Sequence, residues 1–270
     1  MHAVNIHVRK LESRLNEHTP RYWHSDDPFV PHFFNALSST FPEGERFFIQ
    51  SVRHFTQHGG LPADLAAQVD DFVGQEGQHS KEHDAHMGIL VGQGYTVLAT
   101  INRNQRAVMR WMNNHWPRFS LALTTAIEHI TATFAHEIMR DPGPWLTGMH
   151  ADMLPLWRWH VIEESEHKAV AFDVYQQAVG GIWIRRLAML DATVGFLAEV
   201  FIRHSLLLIK DGQFTPRVLW RGSRVLFGKG GHLRRLTPHW TAFLRKDFHP
   251  WTYHDDERLL EQRKSDWGFA

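Results

Sequence analysis

The 270-residue chain has no cysteine, which excludes a disulfide scaffold, a thiolate metal site and a cysteine nucleophile. Neither sign of charge is in excess. Lys+Arg and Asp+Glu both number 29, so global electrostatics give no footprint for nucleic acid and none is expected as a partner. The opening stretch "MHAVNIHVRKLESRLNEH" lacks the apolar run of a secretory leader, and a cytoplasmic location is the expectation. No alternating apolar/polar run is bounded by turn residues, so no strand is expected. What the chain has in abundance is histidine, 21 residues, and tryptophan, 11 residues. A hydrophobic content of 43% suffices for one large domain with a sizeable core.

Gly and Pro divide the chain into helices. "PEGERFFIQSVRHF" reads as a helix that starts near Pro42 and runs to His58. "GGLP" at 59–62 closes it, and Pro62 suits the first turn of a helix from Ala63 to about Val91. "GQGY" at 92–95 leads to a connecting helix over 97–115, and Pro117 opens another that runs to Arg140. After the "DPGP" loop at 141–144 a helix reaches Ala178 and stops at Gly180 and Gly181. A long apolar helix fills 182–210, and the last sixty residues, rich in Trp and Arg, read as less regular.

One stretch resists this reading. "EESEHKAVAFDVY", residues 163–175, puts three acids and a histidine within five residues of a helix that otherwise carries an apolar stripe. Glu164 and His167 form Glu-x-x-His, which places both side chains on one helix face; Glu76 and His79 in "EGQH" form a second copy. In a chain this rich in histidine, two such copies alone carry little. Their context carries more. Glu45 and Glu128 each lie inside an apolar helical pattern, one helix upstream of a Glu-x-x-His. At about 1.5 Å rise per residue, Glu45 and Glu76 both lie roughly 21 Å from the turn between them, at one level of an antiparallel pair. Glu128 and Glu164 reach one level only if 144 to about 150 is loop or a separate turn, and Gly148 and Pro155 allow that.

The order Glu, then Glu-x-x-His, done twice, resembles the ligand set of the ferritin-like di-iron carboxylate proteins. More narrowly, "FPEGERFF", "QEGQHSKEH" and "EESEHKAVAFDVY" resemble a bacterial family described as predicted metal-dependent hydrolases, over most of the chain from about Trp23. The resemblance implies an all-α, ferritin-like four-helix bundle with a long crossover between helix pairs and additional C-terminal helices. On that reading residues 1–30 are an N-terminal extension, 31–180 the metal-binding bundle and 181–270 a C-terminal helical extension packed on it. The expected ligands are Glu45, Glu76, His79, Glu128, Glu164 and His167. Four glutamates facing one dry core would repel unless compensated. Two divalent cations balance their charge, and a carboxylate–imidazole set suits iron, with manganese or zinc as alternatives.

Around this set, Glu163 is expected to accept a hydrogen bond from a ligand histidine across the bundle, His79 in particular; the alternative is an exposed acid beside Lys168. Glu166 is expected at the surface. His83, one turn beyond His79, His160, one turn before Glu164, and Tyr175 are candidates for catalysis. Trp157, Trp159 and Phe172 read as core, and His129 and His136 lie on another helix face. In the 182–210 helix, Asp191, Glu199 and Arg203 argue for packing on a bundle rather than for crossing a membrane. Residues 217–246 hold eight Lys/Arg and no acid, which fits contact with an anionic membrane surface or an anionic substrate, or a basic strap over the bundle. Ligand type favours O₂ activation on an apolar small molecule. The alternative is hydrolysis by a metal-activated water, followed by metal storage. A homodimer is compatible with the sequence.

Overall fold

The computed structural model describes residues 5–25, 27–56, 60–228, 233–253 and 257–269. Among them every regular element is helical. The helices are α1 (Phe29–Thr56), α2 (Ala63–Gly92), α3 (Val97–His115), α4 (Pro117–Arg140), α5 (Gly143–Leu146), α6 (Leu154–His167), α7 (Val170–Ala178), α8 (Ile182–Lys210), α9 (Pro216–Phe227), α10 (Thr237–Ala242), α11 (Pro250–Tyr253) and α12 (Glu257–Trp267). A 3₁₀ turn spans Leu233–Leu236, and a lone antiparallel bridge joins His24 to Met149. The all-α expectation holds among the described residues.

Local chemistry explains the ends. Pro117 sits in the first turn of α4, where its missing N–H costs nothing. Gly94, with φ +100°, turns the chain out of α2, and Gly180, with φ +68°, turns it out of α7. The Thr215 hydroxyl caps α9 by accepting from the Val218 N–H at 3.3 Å. His58 and Gly59 of the turn expected after α1 lie outside the described residues.

Two expected boundaries differ. α1 starts at Phe29, so Pro42 lies inside the helix rather than near its start. The helix survives there because both sides of the proline are buried: Phe33, Phe34, Leu37 and Phe41 before it, Phe47, Phe48 and Val52 after it. Side chains of neighbouring helices brace the backbone beside the proline, with the Ser80 hydroxyl on the Pro42 carbonyl at 3.1 Å and Arg203 on the Ser39 carbonyl at 3.0 Å. The single helix expected up to Ala178 is instead two, α6 and α7, interrupted directly after His167. At the break Lys168 is buried with its ammonium 3.7 Å from the centre of the Trp251 ring.

The core is divided in two. One apolar cluster takes Phe33–Leu37 of α1, Leu90 of α2, Ile138 of α4, Trp157–Ile162 of α6 and Leu207 of α8. The other takes Phe47–Val52 of α1, Val69 and Phe72 of α2, Leu121–Ile127 of α4, Val170–Tyr175 of α7 and Met189 of α8. Along α1, α2, α4 and the α6–α7 pair a short polar stretch separates the two clusters. It is the same level in every case: Glu45, Glu76 to His79, Glu128, and Glu163 to His167. The acids that looked out of place in an apolar helix therefore form a polar layer across the middle of the bundle. α8 packs along α1 and α4.

Candidate metal centre

Four helices bring the six expected ligands to one layer. α1 supplies Glu45, α2 supplies Glu76 and His79, α4 supplies Glu128, and α6 supplies Glu164 and His167; all are buried. His167 Nε2 lies 3.3 Å from Glu76 Oε1, 3.4 Å from Glu128 Oε2 and 3.8 Å from Glu164 Oε2. His79 Nδ1 lies 3.4 Å from Glu76 Oε1 and 3.9 Å from Glu164 Oε1. Glu45, Glu76 and His79 offer atoms within 4.8 Å of one another, as do Glu76, Glu128 and His167. Glu76 belongs to both groups and so joins them.

Of the further candidates, two lie at this layer. His160 Nε2 is 3.3 Å from Glu164 Oε1, and His160 completes one close group with His79 and Glu164 and another with Glu45 and His83. His83 is buried behind it, its Nε2 3.1 Å from His160 Nδ1, while the Ser38 hydroxyl bridges His83 Nδ1 at 2.8 Å and His86 Nδ1 at 2.7 Å. Tyr175 stands apart. Its hydroxyl donates to the Gly181 carbonyl, and its ring packs in the second apolar cluster. Trp157, Trp159 and Phe172 are buried core. His129 is buried against the His239 carbonyl, 2.9 Å away.

Behind the ligands lies a second ring of polar side chains. Glu163 Oε2 is 3.1 Å from His79 Nε2. His167 Nδ1 is 2.8 Å from Gln75 Oε1, and the Gln75 amide donates to Glu166 Oε2 at 2.8 Å. Glu166 is thus not at the surface, as the sequence suggested, but 2% exposed. The reason is a set of cations that the helix pattern does not reveal. Arg9 clasps Glu166 through Nη1 and Nη2 at 2.8 and 2.9 Å, and Lys264 reaches its Oε1 at 2.8 Å. Arg9 also gives its backbone N–H to Glu163 Oε1 at 3.1 Å. The imidazoles of His79 and His167 are therefore both held from behind, one through Glu163 and one through Gln75 and Glu166, and Arg9 ties the two supports together. Gln75 and Arg9 were missed by sequence reasoning. Gln75 had a faint signal, being adjacent to Glu76; Arg9 had none.

Electrostatics show what this layer lacks. Burial and the neighbouring Glu76 push Glu45 well above the usual carboxylate range and Glu128 up to about 8. Burial alone would lower His79, but Glu163 and Glu76 beside it raise it to about 10. His167 is likewise driven well above its ordinary value, with Glu128 and Glu164 overcoming the effect of burial. Glu164 is held at about 2, because the His167, His160 and His79 rings outweigh its burial. His160, buried and beside His79, falls to about 3. In this state protons compensate the carboxylates.

The donor set fits a metal. Both oxygens of Glu45, Glu76 and Glu128, one oxygen of Glu164, His79 Nδ1 and His167 Nε2 are buried and make no hydrogen bond. Buried polar atoms are rarely left unpartnered, and here they belong to one cluster of metal-ligand types. The model of a family described as "predicted metal-dependent hydrolase" matches residues 7–254. The chain belongs to that family. No curated protein and no solved structure matches it. The matched span of this metal-dependent hydrolase family takes in Arg9 and every ligand candidate, and metal dependence agrees with the unpartnered Glu and His atoms.

Proposed function

We propose that the protein is a metal-dependent hydrolase built on a ferritin-like helical bundle, with Glu45, Glu76, His79, Glu128, Glu164 and His167 holding two divalent metal ions. The observation that carries this reading is the set of buried, unpartnered carboxylate and imidazole atoms at one level of four helices, in a chain of a metal-dependent hydrolase family. His160 is a further ligand candidate through Nε2. The preference for O₂ activation drawn from ligand type has no support from the family, so hydrolysis takes first place.

When bound, divalent metals would acidify a water and polarise a carbonyl or phosphoryl oxygen. The chain's own residues do the rest. Glu163 fixes His79, and Gln75 with Glu166 fixes His167, each through the ring nitrogen that faces away from the centre. With one nitrogen committed, the other is presented with its lone pair inward. His160 Nδ1 and His83 Nε2, 3.1 Å apart, share one proton, and Ser38 continues the chain to His86. On the far side two largely apolar cavities, of about 170 and 90 Å³, reach Glu164. Their walls suit an apolar substrate.

The test is reconstitution of metal-free protein with zinc, manganese and ferrous iron, each followed by assays of ester and phosphate cleavage. Cleavage that depends on metal and disappears in Glu164→Ala supports the proposal. Iron-loaded protein that consumes O₂ and develops a ferric band, with no metal form cleaving either substrate, would overturn it in favour of oxidation.

A further inference from the structure

The outer face of α8 is apolar over five turns. Trp183, Leu187, Leu190, Val194, Leu197 and Phe201 recur at intervals of four and three residues, and they are exposed, Trp183 by 74%, Val194 by 63% and Phe201 by 65%. A continuous apolar stripe on a helix otherwise packed against a core marks an interaction surface. The helix does not cross a bilayer surrounded by lipid, since its inner face is buried in the protein with Arg185 and Arg203 on it. What lies on it is a partner that meets only the outer face.

The flanks identify the partner. On one side runs α3, which has three arginines and no acid. Its Gln105 and Asn102 bond Arg203 of α8 at 2.8 and 2.6 Å. On the other side runs the acid-free segment 217–246, of which 229–232 lie outside the described residues. The Gly222 backbone of α9 packs on Phe29, whose carbonyl meets His204 of α8 at 3.1 Å. Further along, Trp240 donates to Thr193 at 2.7 Å, and Arg186 donates to the Leu244 carbonyl at 2.9 Å. Arg106, Arg221 and Arg235 are tied to the protein's own acids. Arg103, Arg110, Arg118, Arg217, Arg224 and Arg234 are exposed. Exposed tryptophans accompany them, Trp111 and Trp116 at the end of α3 and Trp220 on α9. The one exposed acid on the α8 stripe is Asp191.

We infer that this face docks the protein on an anionic lipid bilayer, with α8 lying flat, its apolar stripe in the boundary layer and the two arginine flanks against headgroups. A second copy of the chain would also bury the stripe, but its charges oppose it. Pairing two α8 helices antiparallel about a twofold axis sets the 217–246 segment against its own copy. Pairing them parallel sets that segment against α3. Both arrangements place arginine on arginine with no acid from either flank, whereas a bilayer supplies the missing negative charge.

The cavities join this face to the metal centre. The larger runs from Glu45 and Glu164 to Asp191, Gly195 and Glu199 of α8 beside Gln105 and Met109 of α3. The smaller runs from His160 and Glu164 to Leu197 of α8 and Leu236. Phe196 lines both. Resting on the hydrolytic reading, the substrate class is an amphiphile whose acyl or prenyl chain passes beside α8 toward Glu164.

Flotation of the full chain with vesicles tests the docking without reference to catalysis. Vesicles of phosphatidylcholine with one quarter phosphatidylglycerol should bind at least about tenfold more tightly than phosphatidylcholine alone at low salt, and lose that advantage at high salt. Leu190→Gln with Leu197→Gln should weaken binding by about tenfold or more, and Arg217→Gln with Arg224→Gln should remove most of the preference for anionic lipid. Circular dichroism of each variant should match that of the parent, because the substituted side chains are exposed. Equal affinity for both vesicle types, or none for either, would overturn the inference. So would a dimer in sedimentation that Leu190→Gln with Leu197→Gln splits while the parent ignores vesicles. For the substrate class, the metal-free protein should bind a fluorescent long-chain fatty acid, and a long-chain ester should displace it where a short-chain ester does not. Failure of that result with vesicle binding intact removes the substrate class and leaves the docking; absence of all hydrolysis with both intact removes only the proposed reaction.

Discussion

The polar layer has two unlike walls. On the side of the N-terminal segment the carboxylates and imidazoles are saturated: Glu163 and Gln75 take up the outward ring nitrogens, Glu166 accepts from Gln75, and Arg9 and Lys264 neutralise the acids behind them. On the side of α8 the same layer meets Phe41, Phe48, Leu123, Ile127 and Phe196, and cavity space. Positioning groups need fixed partners, since a buried charge without one is costly. A substrate needs a surface that makes few demands of its own. On the proposed hydrolytic reading, one wall holds the candidate ligands and the other admits what they act on.

The largest break in this comparison is removal of the layer's centre. Glu76 serves both ligand groups, so Glu76→Ala should abolish metal uptake, measured by elemental analysis, while Ala preserves the helix. Chelation should lower the melting temperature, and the gap should depend on pH. In the metal-free fold Glu128 is raised to about 8 and His79 to about 10. Each group contributes stability fully below its ordinary value, and loses it as pH rises through its raised one. Glu164, held at about 2, contributes above its ordinary value and loses that only as pH falls toward 2. Metal-free protein should therefore melt at falling temperature from about pH 4.5, where Glu128 begins to count, to about pH 10, where His79 loses its proton, and the gap to the loaded form should widen over that range. A gap that is constant or narrows with rising pH would contradict the proton-filled layer.

The saturated wall comes next. Arg9→Ala leaves two buried carboxylates without their shared cation. With Lys264 still on Glu166, the expected loss is about 2–3 kcal/mol by denaturant unfolding. Because Arg9 and Lys264 hold Glu166 below the usual carboxylate range despite its burial, that loss should be present near neutral pH and should shrink as pH falls through the depressed value. Glu163→Gln keeps the shape but not the charge behind His79. Metal affinity should fall by roughly 10–100-fold with the fold intact. An unchanged affinity would make Glu163 part of the fold alone.

What was legible in the sequence follows the same division. The inner layer announces itself because Glu-x-x-His and an upstream Glu break an apolar helical period at one level, and helical geometry converts spacing into height. Glu163 could be placed on His79 because it neighbours a ligand on the same turn. Glu166 could not, because its partners come from Arg9 and Lys264, at opposite ends of the chain and in segments with no periodicity to orient them. Pro42 misled for a related reason. Local propensity ends a helix there, but burial on both sides and the Ser80 and Arg203 donors carry α1 through it. The break between α6 and α7 left no sequence mark, since Lys168 and Ala169 are ordinary helix residues. The role of α8 was half legible: its length and apolar content were plain, but which face is covered depends on α1 and α4.

The smallest expected effect probes the admitting wall. Phe196 is half-buried and lies against the two cavities. Phe196→Ala removes a ring that lines both, and because Phe196 is only half-buried, the cost should fall below that of a fully buried Phe, at about 1–2 kcal/mol. Metal content should not change, since Phe196 touches none of the groups that hold His79 or His167. Selectivity should change. Losing the ring widens the space above Glu164, so kcat/KM should shift toward bulkier apolar esters while that for small ones falls. A loss of metal in Phe196→Ala would mean that the apolar wall also sets the ligand layer, and the two walls would then not be separable.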